Sequence, residues 1–351
     1  MVGRDWRSAL LSVACLLALS MAFSAQSLPG RDDDIHTYSI LGYDPQTGDV
    51  GIVIASRVFN VRSFYGKAGV GVVSLQHSFS GQNLMTAVEG VQLMEKGMAP
   101  ADVIKTLMGK DAGRDWRQMG VIDAKGRGAG FTGPKCTYWS GDRQGQNYTT
   151  QGNMLTGKET TDAMAETYEA TRGELADKLM AALLKADTVG GDARGRQSAS
   201  LRIYRKGSLS TPGTTTGADV EPMMSYYVDL RVMDHEQPVR EMDRMWQKVK
   251  DSRLPGQAMR AFQEGNSAKA IEIAKEFVRR RPTESNGYET LGVIYYRMKQ
   301  PDGRSSGSEK RRSARIGSLS SSRCGLASCG TVSAGGIRTP YSRRTPSSSS
   351  A

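Results

Sequence analysis

The sequence predicts an α+β fold in which helices cover a largely antiparallel sheet system. Three observations lead to this prediction: short apolar runs bounded by turn residues, blocks of helical periodicity, and a return to strand patterning near residue 198. The 351 residues are enough for a sizeable core and for more than one domain. We therefore expect a main α+β domain over residues 37–233 and a helical segment over residues 234–300.

The elements of the main domain follow in a regular order. Residues 36–44 predict a first strand, residues 45–48 a turn, and residues 49–57 a second strand. Further strands are expected at residues 68–76, 117–123, 128–132, 148–152, 198–204 and 226–232, and helices at residues 84–94, 103–108, 160–171 and 175–183. The order of strands, helices, strands, two helices and strands is typical of a layered α+β domain.

The N-terminus has the layout of a signal peptide over residues 1–25. Arg4 and Arg7 precede an apolar run at residues 9–23, and small residues near Ala25 permit cleavage. The run is short for a transmembrane span, and an uncleaved membrane anchor is the alternative. We expect an exported protein, periplasmic or secreted, with no membrane contact after the signal is removed. Residues 26–36 would then form a spacer or pro-segment.

The C-terminal part contains two different segments. Residues 251–300 carry part of a tetratricopeptide-like pattern, through Ala270, Pro282, Tyr288, Leu291, Gly292 and Tyr295. One and a half repeats bury little on their own. A surface for a protein or cell-wall partner and a plain helical hairpin are the two alternatives. Residues 301–351 are rich in Ser, Gly and Arg, which predicts a disordered basic tail or an out-of-frame terminus.

The net charge of +11 does not predict nucleic-acid binding. The tail holds nine Lys and Arg against two acidic residues, so it supplies most of the excess charge. Its single aromatic residue is Tyr341, whereas single-stranded nucleic-acid sites stack bases on several aromatic rings. Four cysteines and three histidines are scattered without zinc spacing. We therefore expect no nucleic-acid partner, no metal and no cofactor.

The densest group of polar residues lies in the turn at residues 190–199. Its glycines tolerate positive φ and leave backbone N–H groups accessible. Asp192 can cap the turn, and Arg194 or Arg196 can bind a substrate carboxylate through two hydrogen bonds. With Gln197 and Ser198 they form a candidate binding edge. The alternatives are a solvated hairpin loop and an ion pair of an arginine with Asp192.

Eight short motifs occur in order along the main domain: TYSI at 37–40, DPQTG at 44–48, ASR at 55–57, AGVG at 68–71, GVID at 120–123, FTG at 131–133, QGNML at 151–155 and GDARGRQSA at 191–199. With these motifs the chain resembles the bacterial family of unknown function DUF1028, which is placed among the N-terminal-nucleophile (Ntn) hydrolase-like proteins. The resemblance implies a four-layer αββα sandwich.

The resemblance also implies a catalytic arrangement. In Ntn hydrolases the first residue of the mature domain is the nucleophile, and its own α-amine, with a pKa of about 8, is the general base. Thr37 matches the start of the family domain, Ser39 is a second candidate, and Ser56 is placed to orient the nucleophile. The amine exists only if residues 26–36 are removed. The alternative is that Thr37 is simply a β-branched strand residue.

Gln151 and Asn153 complete the candidate site, since their amides can bind an oxyanion or a substrate amide; a turn-stabilising asparagine is the alternative. Because strand ends share an edge in a sandwich, we expect them to converge with Thr37, Asp192, Arg194 and Ser198. The predicted function is that of an exported amidohydrolase acting on a small amide or peptide-like substrate. The alternative is a catalytically silent Ntn-like scaffold that serves as a periplasmic binding module.

Overall fold

The computed structural model describes residues 37–77, 83–207 and 226–299. The predicted signal peptide, the spacer and the basic tail lie outside the described residues. The chain divides into two units, one ending at Leu254 and one beginning at Pro255. Along the described residues, no helix combines the length and apolarity needed to cross a bilayer.

The described residues of the first unit contain ten strands in two antiparallel sheets. The strands are β1 (Thr37–Tyr43), β2 (Val50–Ser56), β3 (Phe64–Lys67), β4 (Gly71–Gln76), β5 (Gln118–Asp123), β6 (Gly128–Thr132), β7 (Trp139–Gly145), β8 (Tyr148–Leu155), β9 (Ser198–Tyr204) and β10 (Tyr226–Val232). One sheet has the order β10-β9-β2-β1-β8-β7 and the other β3-β4-β5-β6. All pairings are antiparallel, and β1 lies between β2 and β8.

Within the described ranges, the α-helices of the first unit are α1 (Asn83–Glu95), α2 (Pro100–Lys110), α3 (Glu159–Ala170), α4 (Leu175–Thr188) and α5 (Pro238–Ser252). The six-stranded sheet shares one apolar cluster with α3, α4 and α5, and the four-stranded sheet shares another with α1 and α2. A third cluster joins the two sheets through residues such as Leu41, Ile52 and Ile122. Side chains therefore alternate along β1, with Tyr38 and Ile40 towards the helices and Leu41 towards the other sheet.

The predicted mixed α+β architecture with antiparallel strands is confirmed. Two of the described strands, β3 and β7, were not predicted, and each is one of the two edge strands of its sheet. The sequence of β7, WSGDRQG, has no apolar alternation and is only partly buried. Edge strands tolerate Gly and charged residues because one side of the strand has no neighbour. For this reason their sequences lack the signal that identifies central strands.

The first unit extends past the expected boundary at residue 233. Helix α5 buries Val239, Met242 and Trp246 in the cluster that it shares with α3, α4 and the six-stranded sheet. The Trp246 Nε1 donates to Asp177 Oδ1 of α4 at 2.9 Å. The segment that follows Asp234 therefore begins with a helix of the main unit.

The second unit contains helical segments that include α6 (Leu254–Gln263), α7 (Ser267–Arg280) and α8 (Ser285–Met298). Small residues, Ala258, Ala261, Ala270 and Ala274, pack with Ile294 in its buried cluster. The Asn266 side chain caps α7 by accepting from the N–H of Lys269 at 3.1 Å. The tetratricopeptide-like character of this segment stays a prediction.

Candidate functional site

A row of polar side chains crosses four neighbouring strands at one end of the six-stranded sheet. Thr37 of β1 is paired with Asn153 of β8 on one side and with Ser56 of β2 on the other, and Ser56 is paired with Ser198 of β9. All four residues are buried. The Thr37 Oγ1 and the Ser56 Oγ are 3.0 Å apart and share a hydrogen bond. These four predicted site residues are therefore brought together.

A second row lies two residues further along, on the same face of the sheet. Gln151 is paired with Ser39. The Ser39 Oγ accepts hydrogen bonds from the Nε2 groups of Gln151 and Gln76, and Gln76 belongs to the other sheet. The Gln76 Nε2 also contacts the Ser74 Oγ at 3.2 Å. Ser39 is fully buried and acts as a shared acceptor between the two sheets.

Gln118 of the four-stranded sheet holds Asn153 from the opposite side. The Asn153 Nδ2 donates to the Gln118 Oε1 at 2.8 Å and lies 3.4 Å from the Gln76 Oε1. The Gln118 Nε2 is 2.7 Å from the carbonyl oxygen of Gly152. Sequence reasoning missed Gln76 and Gln118. The available signal was an amide at the end of an apolar strand, in a position that an apolar residue usually fills.

One acceptor of this network has no partner. The Asn153 Oδ1 is fully buried and receives no hydrogen bond within the described ranges. A buried acceptor without a donor costs about 1–3 kcal/mol relative to a satisfied one. Such an atom calls for a ligand, a water or a new donor. It belongs to the residue paired with Thr37, so the missing donor is expected beside the start of β1.

The turn that contains Asp192 is fastened to the end of β2. The Asp192 Oδ2 accepts from the N–H of Arg57 at 3.1 Å and from the Arg194 Nη2 at 3.1 Å, and its Oδ1 accepts from the N–H of Arg194 at 2.9 Å. The Arg57 Nη1 donates to the carbonyl oxygen of Arg194 at 2.5 Å. Because Arg57 follows Ser56, this turn lies beside the polar row. Asp192 both caps the turn and pairs with Arg194.

Arg196 and Gln197 make contacts away from the row. The Arg196 Nε donates to the Asp187 Oδ1 at 2.6 Å, and the Gln197 Nε2 donates to the Asp234 Oδ1 at 3.1 Å. The Tyr38 hydroxyl donates to the same Asp187 oxygen at 3.3 Å. Burial and the negative charge of Asp187 raise the pKa of Tyr38 well above its usual value. Arg196 is thus held by a carboxylate of α4.

A very small cavity lies where the row meets this turn. Its volume is about 10 Å³, and its lining includes Ser56, Ser198, Asp192 and Arg196. This volume holds about one water molecule. Thr37, Ser198 and Asn153 have no exposed surface. The site is therefore polar and assembled, but closed to a substrate.

Two residues that follow amides of the network have an unusual backbone conformation. His77 follows Gln76 with a φ of 53°, and Met154 follows Asn153 with a φ of 54°. Non-glycine residues rarely adopt this left-handed conformation, which costs about 1–3 kcal/mol. The His77 Nδ1 is 2.7 Å from the carbonyl oxygen of Trp116. His77 comes directly after β4, whereas Met154 lies within β8, one residue before its end.

Among the described residues, no group of three His, Cys, Asp or Glu side chains is placed to hold a metal ion. Cys136 is half-buried, and burial raises the pKa of its thiol to about 11. A thiol with this pKa is a poor nucleophile near neutral pH.

The model of the family of unknown function DUF1028 matches residues 37–242 of this chain. The chain belongs to this family. The matched range begins at Thr37 and includes every residue of the polar row and of the Asp192 turn. The predicted family resemblance is therefore confirmed over residues 37–242.

A solved DUF1028 structure resembles the chain. The crystal structure of protein SPO2555 from Silicibacter pomeroyi has 26% sequence identity and a TM-score of 0.51, and the match covers 61% of this chain and 86% of that chain. No curated protein matches the chain. The comparisons thus place this chain in the DUF1028 family and relate its fold to that of a solved member.

Proposed function

We propose that this DUF1028 protein is an exported Ntn-type amidohydrolase that cleaves a small amide or peptide-like substrate. Its fold would be the four-layer αββα sandwich of that class. The shared clusters of each sheet with its helices, and of the two sheets with each other, support this layering. The polar network lies between the sheets, at the end where β1 begins.

The observation that carries the proposal is the environment of Thr37. Its hydroxyl bonds to Ser56 at 3.0 Å, and its strand partner Asn153 has a buried acceptor that lacks a donor. An α-amine on Thr37 would be a new donor at the start of β1. Accepting from this amine, the Asn153 Oδ1 would orient the nitrogen lone pair towards the Thr37 hydroxyl.

The chemistry then follows from the α-amine. Thr37 Oγ1 attacks the substrate carbonyl carbon while its proton moves to the amine, which later protonates the leaving nitrogen. Water hydrolyses the resulting ester by the same route. The side-chain N–H groups of Gln151 and Asn153 already donate to Ser39 and Gln118. We therefore assign Asn153 the role of acceptor and leave binding of a substrate carboxylate to Arg194.

The proposal requires cleavage of the peptide bond before Thr37. That cleavage creates the amine, and it is also needed because Thr37 is fully buried. The decisive experiment is to recover exported protein and determine its N-terminal residue and intact mass. We expect Thr37 to be the first residue, and we expect a β-lactone, which acylates N-terminal threonine, to add one adduct.

Variants make this test specific. Thr37→Ser should keep the adduct, and Thr37→Ala should lose both the adduct and hydrolysis of a panel of N-acyl amino acids. The matched control is Thr137→Ala, because Thr137 is exposed and lies in a loop outside the row. Hydrolysis by a mature chain that still begins upstream of Thr37 would rule out the assignment.

A second candidate function is a silent binding module. The complete burial of Thr37 and Ser39 favours it, since a hydroxyl that is closed off from the surface meets no substrate. In that case α8 is a candidate surface for a protein or cell-wall partner, because it exposes Tyr288, Tyr295 and Tyr296. A retained upstream N-terminus together with no hydrolysis would favour this function.

A further inference from the structure

A second cavity lies at the other end of the four-stranded sheet from Gln76 and Gln118. Its volume is about 210 Å³. It is bounded by the C-terminal end of α1, the β3–β4 turn and the β5–β6 turn. Along β5, Gln118 and Asp123 are five residues apart, which corresponds to about 16 Å at about 3.3 Å per residue. The cavity is therefore separate from the polar network.

Part of the lining of this cavity is apolar and adaptable, beside charged residues and glycines. Met94, Met98, Val70 and Ala124 contribute to its lining. Met94 is buried, and its Cε lies so close to Gly71 that a Cβ there would be 2.9 Å away. Methionine side chains are unbranched and polarisable, so they adjust to ligands of different shape. This part of the lining suits a short hydrocarbon chain.

The two acidic groups of the lining are already neutralised. Glu95 forms an ion pair with Lys67. Asp123 forms an ion pair with Arg127, and its Oδ1 also accepts from the N–H groups of Lys125 and Arg127 at 3.0 Å each. These contacts satisfy the carboxylates without a ligand. The acids therefore give the cavity no attraction for a cation.

Two lysines near this cavity, Lys125 and Lys206, form no ion pair with a described residue. Lys125 lines the cavity, is exposed, and has no carboxylate partner within the described part of the chain. The stem of Lys206 covers Gly69, where a Cβ would be 2.0 Å from its Cε. Lys206 likewise forms no ion pair with a described residue. Both ammonium groups are thus available to an anion at this end of the sheet.

From the apolar part of the lining and these lysines we propose that this cavity binds a small amphipathic carboxylate, with its chain against Met94 and Met98 and its carboxylate at Lys125. The size is suitable, because a cavity of about 150 Å³ holds benzene. The site does not depend on processing at Thr37 or on hydrolysis. Its occupant would contact the ends of β4 and β5 that lie opposite the network.

The test is titration of the full-length protein with hexanoate, followed by two-dimensional NMR. Hexanoate should shift the amide signals of Val70, Met98 and Ala124 in a saturable way. Lys125→Gln should weaken binding about three- to tenfold, which is the range expected for a partly exposed charged contact. Lys105→Gln is the matched control, because Lys105 is an exposed lysine on α2 outside the cavity. It should leave binding unchanged.

Hexan-1-ol and hexylammonium show how much the hydrocarbon chain and the carboxylate each contribute to binding. Hexan-1-ol should bind more weakly than hexanoate and should not respond to Lys125→Gln, and hexylammonium should bind least. Absence of saturable shifts at these residues would overturn the proposal. Equal weakening by Lys105→Gln, or equal binding of hexan-1-ol and hexanoate, would also overturn it.

Discussion

The space between the two sheets has two ends that are equally buried and chemically opposite. At one end, Leu41, Ile52, Phe64, Val72 and Ile122 form an apolar cluster. At the other end, the buried side chains include the hydroxyl residues Thr37, Ser39, Ser56 and Ser198 and the amides Gln76, Gln118, Gln151 and Asn153. The same strands supply both ends, so fold alone does not explain the difference.

The apolar end and the polar end differ in how much their side chains contribute to stability. A fully buried aliphatic side chain contributes about 1.5–3 kcal/mol, whereas a satisfied hydrogen bond contributes about 1 kcal/mol net. An apolar filling would therefore stabilise the second end at least as well. The amides also leave the Asn153 Oδ1 without a partner in the described structure. The polar end is better explained by a chemical role than by stability.

The largest expected effect is at the apolar end. Ile52→Ala should lower the free energy of unfolding by about 2–5 kcal/mol, because it opens a cavity that the packed sheets cannot close. Urea denaturation measures this change. The control is Val189→Ala, at a partly exposed position, with an expected change within about 0.5 kcal/mol. Similar losses for the two variants would contradict our description of the core.

The second effect tests the distance between the sheets at the polar end. Gly120 of β5 faces Gln151, and a Cβ at this glycine would be 2.2 Å from the Gln151 Oε1. Gly120→Ala should therefore cost about 1–3 kcal/mol through overpacking and should displace Gln151 from Ser39. Thermal unfolding measures the cost. Gly109→Ala is the control, because a Cβ there meets nothing within 4 Å.

The third effect tests the network itself. Gln118→Leu should cost about 1–3 kcal/mol, because it leaves the Asn153 Nδ2 with only the longer contact to Gln76. The double variant with Asn153→Leu should cost less than the sum of the single changes, since both partners become apolar. Gln144→Leu is an exposed control. Strict additivity would show that the amides do not act together.

The smallest effect is pH-dependent and lies outside the network. Burial and the neighbouring Glu169 raise the pKa of Tyr148 to about 12. The folded state therefore retains the proton that the unfolded state loses near pH 10, so stability falls as the pH rises from about 10 to 12. Tyr148→Phe should reduce this fall in stability, which is measured as the midpoint of urea denaturation at each pH. Tyr138→Phe, at an exposed residue, should leave the slope unchanged.

The central strands could be predicted because their apolar residues recur along short segments between turn residues. The sequence of β2, VGIVIAS, is fully buried and shows this clearly. The edge strands β6 and β10 were predicted as well, but β3 and β7 were not, because β3 has only four residues and β7 has no apolar alternation. Sheet pairing is the information that defines these two strands.

The residues of the candidate site also fall into a predicted group and a missed group. Thr37, Asn153 and Ser198 were expected to meet because strand ends share an edge, and strand pairing places them in one row with Ser56. Gln76 and Gln118 were missed because their role arises only when one sheet lies on the other. Such contacts depend on how whole layers stack, and no local pattern in the sequence records that.

The close approach of Gly120 to Gln151 has a consequence for how this family can diverge. A residue without a side chain in one sheet accommodates a long amide from the other, so the two positions share one fixed volume. A larger residue at one position requires a shorter residue at the other, although the two positions are distant in the chain and lie on different sheets. Substitutions at positions 120 and 151 should therefore be inherited together. A relative with alanine at the first position should carry a shorter residue at the second.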